Sequence, residues 1–200
     1  MQIEVREEPT TALTDYATIP IVFEVRERFA VVGPQAGLEG VRLVVEPVAM
    51  PHLKDYDALA GESPATWRAR FDGCSWTLLS ARADGDRVGG AAVVRDGPDV
   101  LSWGGVDRND VATLWDLRVA PRWRRRRVGA ALFEAAVAWA TSHGAAWLAV
   151  ETQSTNVPAC RFYARQGCVL GAVDRFAYPT LPDEVKLVWY RALGSNEADA

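Results

Sequence analysis

Residues 114–130 read LWDLRVAPRWRRRRVGA, and this stretch is the most informative about the fold of the chain. A strand is predicted over residues 112–119, and Pro121 breaks it. Arginines then fill the turn, and a helical pattern begins at Val128. A strand that runs through a short turn into a helix is typical of an α/β fold.

The helix after the turn is predicted over residues 128–143. Its apolar positions follow the spacing i, i+3, i+4, i+7, i+8 and i+11, which places them on one helix face. They are Val128, Ala131, Leu132, Ala135, Ala136 and Trp139. Gly144 supplies the left-handed residue that commonly ends a helix, and His143 complements the helix dipole.

Five arginines surround the start of this helix: Arg122, Arg124, Arg125, Arg126 and Arg127. A helix N-terminus presents unpaired backbone N–H groups and the positive end of the helix dipole. Guanidinium groups add paired donors to phosphate, and Gly129 lets a ligand approach the first turn. The arrangement suits a pyrophosphate. The arginines alone would equally fit a solvated surface loop or a nucleic-acid backbone.

The remaining patterns complete an α/β layout with a single mixed, mostly antiparallel sheet of about seven strands and about four helices. Residues 1–18 are expected to form an N-terminal arm, 19–193 a single domain and 194–200 a flexible tail. Further strands are predicted at residues 19–32, 41–48, 76–82, 87–94, 146–151, 169–178 and 184–191. Further helices are predicted at residues 51–59 and 64–71 and from Asn156 to Gly167.

Composition excludes several classes of protein. The chain has 200 residues and a net charge of −4, which argues against a nucleic-acid or membrane-surface protein. No apolar run is long enough to span a membrane and no signal peptide is recognisable, so the cytoplasm is the expected location. Three cysteines without a C-x-x-C and two histidines predict neither a disulfide framework nor a metal site.

A second segment narrows the range of functions that the arginine turn could serve. Glu151-Thr152-Gln153 ends a strand, and Asn156-Val157-Pro158-Ala159-Cys160-Arg161-Phe162-Tyr163 opens the next helix. Together with the arginine turn, this order resembles the acetyl-CoA core of the GCN5-related N-acetyltransferases over about residues 75–192. Gly167, Leu170-Gly171, Asp174, Phe176 and Tyr178 extend the likeness to the streptothricin acetyltransferase subgroup.

The resemblance implies direct acetyl transfer from acetyl-CoA to an amine. The phosphate-loop pattern Gln/Arg-x-x-Gly-x-Gly/Ala falls on Arg124 to Gly129, with Arg127 where the family has glycine. Either the loop is distorted and binds CoA less tightly, or Arg127 points outward and touches a phosphate. The residues implied to bind acetyl-CoA are Leu117, Arg118, Val119, Arg124, Arg125, Arg126, Arg127, Val128, Gly129, Ala130, Asn156, Ala159, Phe162 and Tyr163.

Tyr163 is implied as the acid that protonates the CoA thiolate, and a backbone N–H near Leu117–Val119 as the donor to the thioester oxygen. Asp116 is the favoured base, with Glu151 the alternative, and Cys160 needs no catalytic role. Trp103 and Trp123 are further candidates for walls of the cleft, although Trp123 also suits a loop anchor. The acceptor side would be formed by Trp115, Asp116, Glu151, Asp174, Phe176 and Tyr178.

The acceptor implied is a small cationic amine, with streptothricin or a relative as the first choice. Another antibiotic such as an aminoglycoside, a polyamine or a protein amine would fit the same chemistry. Because Arg127 departs from the phosphate-loop pattern, a non-catalytic protein that binds CoA or phosphate is a further alternative. Exposed edge strands near the C-terminus could pair two chains into a homodimer.

Overall fold

Seven strands form one mixed sheet in the order β1-β4-β5-β6-β7-β9-β8, and β2 and β3 form a separate hairpin. The computed structural model describes residues 2–33, 40–59, 61–95 and 109–194. Strands β6 and β7 pair in parallel, and the other pairs with a described register are antiparallel. The strands are β1 Glu4–Glu8, β2 Phe23–Val32, β3 Arg42–Lys54, β4 Ser75–Ala83, β5 Asp86–Arg95, β6 Val111–Val119, β7 Trp147–Gln153, β8 Val169–Asp174 and β9 Lys186–Ala192.

Four α-helices accompany the strands in the described ranges, which confirms the predicted α/β fold with a mixed sheet of seven strands. They are α1 Leu13–Tyr16, α2 Pro64–Arg70, α3 Val128–Ser142 and α4 Val157–Arg165. Short 3-10 helices cover Thr10–Ala12 and Pro121–Trp123. None of the helices in these ranges is both long and apolar enough to cross a membrane.

The chain divides into two compact units, where one domain was expected. The first unit comprises Met1–Ile21, Asp55–Val150 and Arg191–Ala200, and the second comprises Val22–Lys54 and Glu151–Tyr190. The predicted helix at residues 128–143 is present in the first unit and ends one residue earlier, at Ser142. Within the second unit, α4 begins after Asn156 and the chain turns at Gly167, where φ is 77°.

Two adjacent glycines on β5 allow close packing on both faces of the sheet. A Cβ on Gly89 would lie 2.9 Å from Val128 of α3, and a Cβ on Gly90 would lie 2.6 Å from the ring of Tyr16. Because side chains alternate along a strand, these contacts define an α3 face and a Tyr16 face. The Tyr16 face carries a buried cluster of Leu13, Tyr16, Trp67, Phe71, Leu78, Ala92 and Val94.

Three local expectations need correction. The expected arm contains β1, an edge strand paired with β4, and Tyr16, which is fully buried. The helix expected at residues 51–59 is absent because β3 continues to Lys54; its prolines are tolerated in a two-stranded sheet, where each strand has an open edge. The β4–β5 loop is tighter than expected. Ala83 pairs with Asp86, and Asp84 and Gly85 both have positive φ, as in a two-residue type I′ turn.

Candidate active site

In the first unit, the arginine turn has an unusual backbone. Arg125 and Arg127 adopt left-handed conformations with φ of 61° and 66°, and Arg127 is the N-cap of α3 without a side-chain cap hydrogen bond. Non-glycine residues rarely take this conformation, which costs about 1–2 kcal/mol per residue. Arg127 therefore keeps the conformation for which glycine is normally selected, and the turn closes with a side chain in that place.

The guanidinium groups of this turn are directed to solvent. Arg122, Arg124, Arg125, Arg126 and Arg127 are all exposed. Arg124 Nε donates to the carbonyl oxygen of Val119 at 3.2 Å, and the Arg126 guanidinium lies 5.5 Å from the centre of the half-buried Trp123 ring. Val128, Gly129 and Ala130 form the first turn of α3, whose N–H groups have no intrahelical acceptor. Exposed cations and free N–H groups at one helix end suit a phosphate ligand.

Strand β6 contains a β-bulge at Trp115. Val93 pairs with Leu114 and Ala92 with Asp116, so Trp115 is the additional residue. Since Ala92 and Val93 face opposite sides of β5, the bulge places Leu114 and Asp116 on opposite faces although they are two residues apart. Asp116 and Arg118 consequently lie on the Tyr16 face, whereas Leu117 and Val119 lie on the α3 face, both partly exposed.

The Trp115 side chain packs within the first unit. Its ring lies 5.1 Å from Phe71 in an edge-on arrangement, and the Arg70 guanidinium lies 4.4 Å from its centre. Trp115 is thus in contact with α2 and the residue after it. Trp103, another tryptophan expected to line the cleft, lies outside the described residues.

Asp116 and Arg118 belong to a buried polar network. Asp116 Oδ1 accepts from Arg118 Nε at 2.9 Å and from the Tyr16 hydroxyl, and Oδ2 accepts from Arg118 Nη2 at 2.8 Å. On its other side Arg118 donates to both oxygens of Asp57 at 2.8 and 3.1 Å and to the carbonyl of Ile19 at 3.0 Å. The network ties the N-terminal segment and the residue-57 loop to β6.

Burial and charge fix the protonation states of Arg118 and Tyr16. Burial by itself would lower the pKa of Arg118, but the hydrogen bonds and charge of Asp116, followed by Asp57, raise it above its ordinary value. Burial, followed by the charge of Asp116, raises the pKa of Tyr16 well above its ordinary range. Arg118 therefore stays charged and the Tyr16 phenol stays a hydrogen-bond donor.

These contacts argue against two of the roles expected from the sequence. Asp116 was favoured as the base, but both of its oxygens accept hydrogen bonds and only 8% of the residue is exposed. Protonating it would leave the buried Arg118 without a full counter-charge. Arg118, expected among the cofactor-binding residues, is 2% exposed, and its guanidinium is directed to Asp116 and Asp57.

In the second unit, the start of α4 is held by Asn156. Its side-chain oxygen accepts from the N–H of Ala159 at 3.2 Å, which is an N-cap bond. Tyr163 lies about two turns further along and is 6% exposed, with the Phe162 ring 5.1 Å from its own. The buried environment suits a phenol that either packs or donates a proton to one defined partner.

Cys160 lies on α4, three residues before Tyr163, and is fully buried. Its sulfur lies 3.3 Å from the hydroxyl of Thr152, which also accepts from Trp189 Nε1 at 2.9 Å. Burial raises the pKa of the Cys160 thiol to about 11. A thiol with this pKa is protonated at neutral pH and is a poor nucleophile.

The expected acceptor-side residues Glu151 and Tyr178 are brought together in the second unit. The Tyr178 hydroxyl donates to Glu151 Oε1 at 2.6 Å and accepts from Gln153 Nε2 at 3.0 Å. Lys186 Nζ lies 2.6 Å from Glu151 Oε2. Unlike Asp116, Glu151 is exposed, so it is the carboxylate of the two that water and ligands can reach.

Asp174 and Phe176 form a local turn near this cluster in sequence. Asp174 Oδ1 accepts from the N–H of Phe176 at 2.8 Å, and the Phe176 side chain projects into solvent with 88% exposed. A phenylalanine this exposed is not part of the core. The strand β8 ends at Asp174, four residues before its predicted end.

Sequence reasoning did not find Tyr16, Asp57 or Lys186. Each contacts a residue that is far away in the sequence. Lys186 is 35 positions from its partner Glu151, and Tyr16 is 100 positions from its partner Asp116. No spacing rule predicts such pairs. The one local signal was the Asp-x-Arg pattern of Asp116 and Arg118, which places both side chains on one strand face.

A comparison with protein families matches residues 47–168 to the model described as "Acetyltransferase (GNAT) family". Among curated proteins, streptothricin acetyltransferase A of Bacillus subtilis (strain 168) is 38% identical over 84 residues, which is 41% of this chain and 49% of that protein. Streptothricin acetyltransferase of Escherichia coli is 37% identical over 92 residues, which is 44% of this chain and 53% of that protein. The chain spans about half the length of these two relatives.

Among solved structures, a Bacillus anthracis protein assigned as a streptothricin acetyltransferase, in complex with acetyl coenzyme A, superposes with a TM-score of 0.74. The match covers 96% of this chain and 99% of that one at 24% sequence identity. At this identity the likeness establishes the shared fold.

Proposed function

Because the chain belongs to the acetyltransferase (GNAT) family, we propose that it is an N-acetyltransferase that transfers the acetyl group of acetyl-CoA directly to an amine. The observation that carries the proposal is the turn of exposed arginines leading into the N-terminus of α3, within the segment that matches the family. It combines guanidinium groups with free backbone N–H groups, which is the donor set that a pyrophosphate requires.

The binding of acetyl-CoA is proposed to use both parts of this donor set. Arg124, Arg125, Arg126 and Arg127 would meet the phosphates, with the N–H groups of Val128, Gly129 and Ala130 beneath them. The backbone of Leu117, Arg118 and Val119 would pair with the pantetheine amides, and one of these N–H groups would donate to the thioester oxygen. Asn156, Ala159 and Phe162 at the start of α4 are the other proposed contacts.

The reaction needs a defined path for two protons. The acceptor ammonium loses one proton before its nitrogen attacks the thioester carbon. As the C–N bond forms and the C–S bond breaks, a phenol protonates the thiolate sulfur, and the second proton of the nitrogen passes, directly or through water, to the phenolate that remains. We assign the proton donor of the sulfur to Tyr163 and the first acceptor, directly or through water, to Glu151. Glu151 is preferred over Asp116 because it is exposed and Asp116 is held in the buried network.

The acceptor is proposed to be a small cationic amine, with streptothricin first because the name of both curated relatives specifies it. The exposed carboxylate of Glu151, the half-buried carboxylate of Asp174 and the exposed ring of Phe176 suit such an acceptor. Another amine, such as an aminoglycoside, a polyamine or a protein amine, would use the same chemistry. The proposed setting is the cytoplasm, with a small molecule and not a nucleic acid as partner.

The first experiment measures thiol release from acetyl-CoA with and without streptothricin, together with the mass of the acceptor. We expect release that depends on streptothricin and a gain of about 42 Da on it, which is one acetyl group for one amine proton. Acetyl-CoA should also stabilise the folded protein by about 2.7 kcal/mol at a hundred times its dissociation constant. Binding of acetyl-CoA without release would redirect the search to other amines, and a lack of both would overturn the proposal.

A further inference from the structure

The exposed carboxylate of Glu151 already holds an ammonium group of the protein itself. Lys186 Nζ lies 2.6 Å from Glu151 Oε2, in the distance range of a charge-assisted hydrogen bond. The other oxygen, Oε1, accepts the hydroxyl of Tyr178 at 2.6 Å. One oxygen is therefore engaged by a phenol, and the other is presented to a primary ammonium.

Gln153 fixes the direction of the Tyr178 hydroxyl. Gln153 Nε2 donates to the Tyr178 oxygen at 3.0 Å, so the phenol hydrogen is left to point at Glu151. This chain of donors from Gln153 to Tyr178 to Glu151 orients the carboxylate without adding a charge. The protein thus fixes where Glu151 Oε2 lies, and only the ammonium group bound to it can change.

The pair formed by Glu151 and Lys186 is open to solvent, in contrast to another lysine pair of the same unit. The side chains of Lys186 and Glu151 are 24% and 37% exposed, whereas those of Lys54 and Glu184 are 10% and 12% exposed. Ion pairs that water can reach contribute little to stability. Lys186 can therefore leave Glu151 at small cost, while Lys54 and Glu184 form a fixed structural link.

We infer that Glu151 Oε2 is the ammonium-binding position for a cationic acceptor and that Lys186 occupies it until the acceptor binds. Lys186 then acts as a specificity-determining residue. An acceptor that brings its own ammonium group can replace Lys186, whereas an uncharged ligand cannot. The identification of the ligand as an acceptor rests on the proposed function, but the competition between two ammonium groups is a binding property.

Other groups of the second unit are compatible with this assignment. Asp174 is engaged by the N–H of Phe176, so its carboxylate is partly satisfied within its own turn. The exposed ring of Phe176 offers a face to a cation. Glu184 is paired with Lys54. Among these three carboxylates, Glu151 is the one whose partner is a solvent-accessible lysine.

The test measures streptothricin binding by isothermal titration calorimetry in the absence of acetyl-CoA, at low salt. Lys186→Gln should bind streptothricin about 3- to 10-fold more tightly than the wild type, because the competitor is removed. Lys186→Arg should restore wild-type binding, and Glu151→Gln should weaken binding at least about 10-fold. Arg161→Gln is the matched control, since it breaks an exposed ion pair with Glu27 and removes the same charge from the same unit. It should leave binding unchanged, and thermal melts verify that each variant is folded.

The outcomes separate this inference from the proposed function. Tighter binding in Lys186→Gln without turnover in any variant would support the inference and count against the proposed reaction. Turnover with unchanged or weaker binding in Lys186→Gln would support the reaction and overturn the inference. Equal tightening in Lys186→Gln and Arg161→Gln would reduce the effect to net charge and overturn the inference. A lack of streptothricin binding in all variants would overturn it as well.

Discussion

Gly90 lies directly against the ring of Tyr16, so close that a Cβ at this position would be 2.6 Å from Tyr16 Cε2. The absence of a side chain on β5 is what allows a fully buried tyrosine to reach Asp116 on the neighbouring strand. Backbone permissiveness is not the reason for this glycine, because its φ is not in the left-handed region. The requirement is space.

Replacing Gly90 by alanine should therefore displace Tyr16 and break its hydrogen bond to Asp116. We expect a loss of about 2–4 kcal/mol in the free energy of unfolding, since overpacking and a lost bond to a charged group add up. Urea denaturation measures this loss. Gly33→Ala is the control, because its Cβ would meet its nearest neighbour at an ordinary 3.5 Å and should change stability little. Equal effects of the two substitutions would contradict the packing explanation.

Asp116→Asn distinguishes a structural from a catalytic role for this carboxylate. Because Arg118 is buried between Asp116 and Asp57, removing one counter-charge should lower the free energy of unfolding by about 3 kcal/mol. Denaturation and turnover should be measured on the same preparation. Unchanged stability with abolished turnover would instead return Asp116 to the role of base.

Arg127→Gly tests the strain in the arginine turn. Glycine removes a left-handed cost of about 1–2 kcal/mol and adds about 0.5–1 kcal/mol of unfolded-chain entropy, so the net change should be neutral to stabilising. Arg126→Gly removes the same charge from a residue without positive φ and should only destabilise. Urea denaturation of both variants makes the comparison. If Arg127→Gly is the less stable of the two, the left-handed residue is not strained.

Tyr163→Phe should slow turnover more than it weakens acetyl-CoA binding. The phenol is buried on α4, and losing a positioned proton donor reduces kcat by about 100-fold in typical cases. The dissociation constant of acetyl-CoA should change less than about 3-fold, because the ring is retained. Kinetics and calorimetry together provide the test. Equal losses in kcat and in affinity would remove Tyr163 from the acid role.

The N-terminal strand should detach at acid pH. Glu8 of β1 is bonded to Arg87 and, at 3.2 Å, to Arg82. Burial alone would raise the pKa of Glu8, but the hydrogen bonds and charge of Arg87 outweigh it and lower the pKa below its ordinary value. Glu8 therefore contributes its full stabilisation above its unfolded-state pKa of 4.5. This contribution is lost as the pH falls through the lower pKa of the folded state.

Glu8→Gln isolates this contribution. The difference in stability between wild type and variant should be constant from pH 7 to about 5 and shrink below about 4, as measured by urea denaturation across pH. Glu4 on the same strand forms no ion pair with another described residue and serves as the control in Glu4→Gln. A difference that persists at low pH would show that Glu8 does not act through its charge.

Local patterns predicted the parts of the fold that local physics determines. The 3.6-residue spacing between Val128 and Trp139 located α3, and the strands predicted at residues 76–82 and 87–94 lie within β4 and β5. The charged strand Glu4–Glu8 was missed because an edge strand needs no apolar face to pair with β4. The continuation of β3 through Pro51 was missed because proline was interpreted as a helix start.

The candidate site likewise has a part that local motifs predicted and a part that they did not. The arginine turn, Asn156 and Tyr163 follow one another in short motifs and could be located from the sequence. The partners that decide between Asp116 and Glu151 come from Tyr16, Asp57 and Lys186, which are distant along the chain. Burial of one carboxylate and exposure of the other is a tertiary property, so the sequence could nominate both but could not rank them by accessibility.

Because of the bulge at Trp115, the number of residues in β6 decides which side chains face each side of the sheet. Deleting Leu114 or Trp115 would exchange the two sides of the strand for everything that follows. Asp116 and Arg118 would then both face α3, away from Tyr16 and Asp57, and Leu117 would take their place on the Tyr16 face. Insertions and deletions should be tolerated at the Asp84-Gly85 turn and excluded from the bulged part of β6.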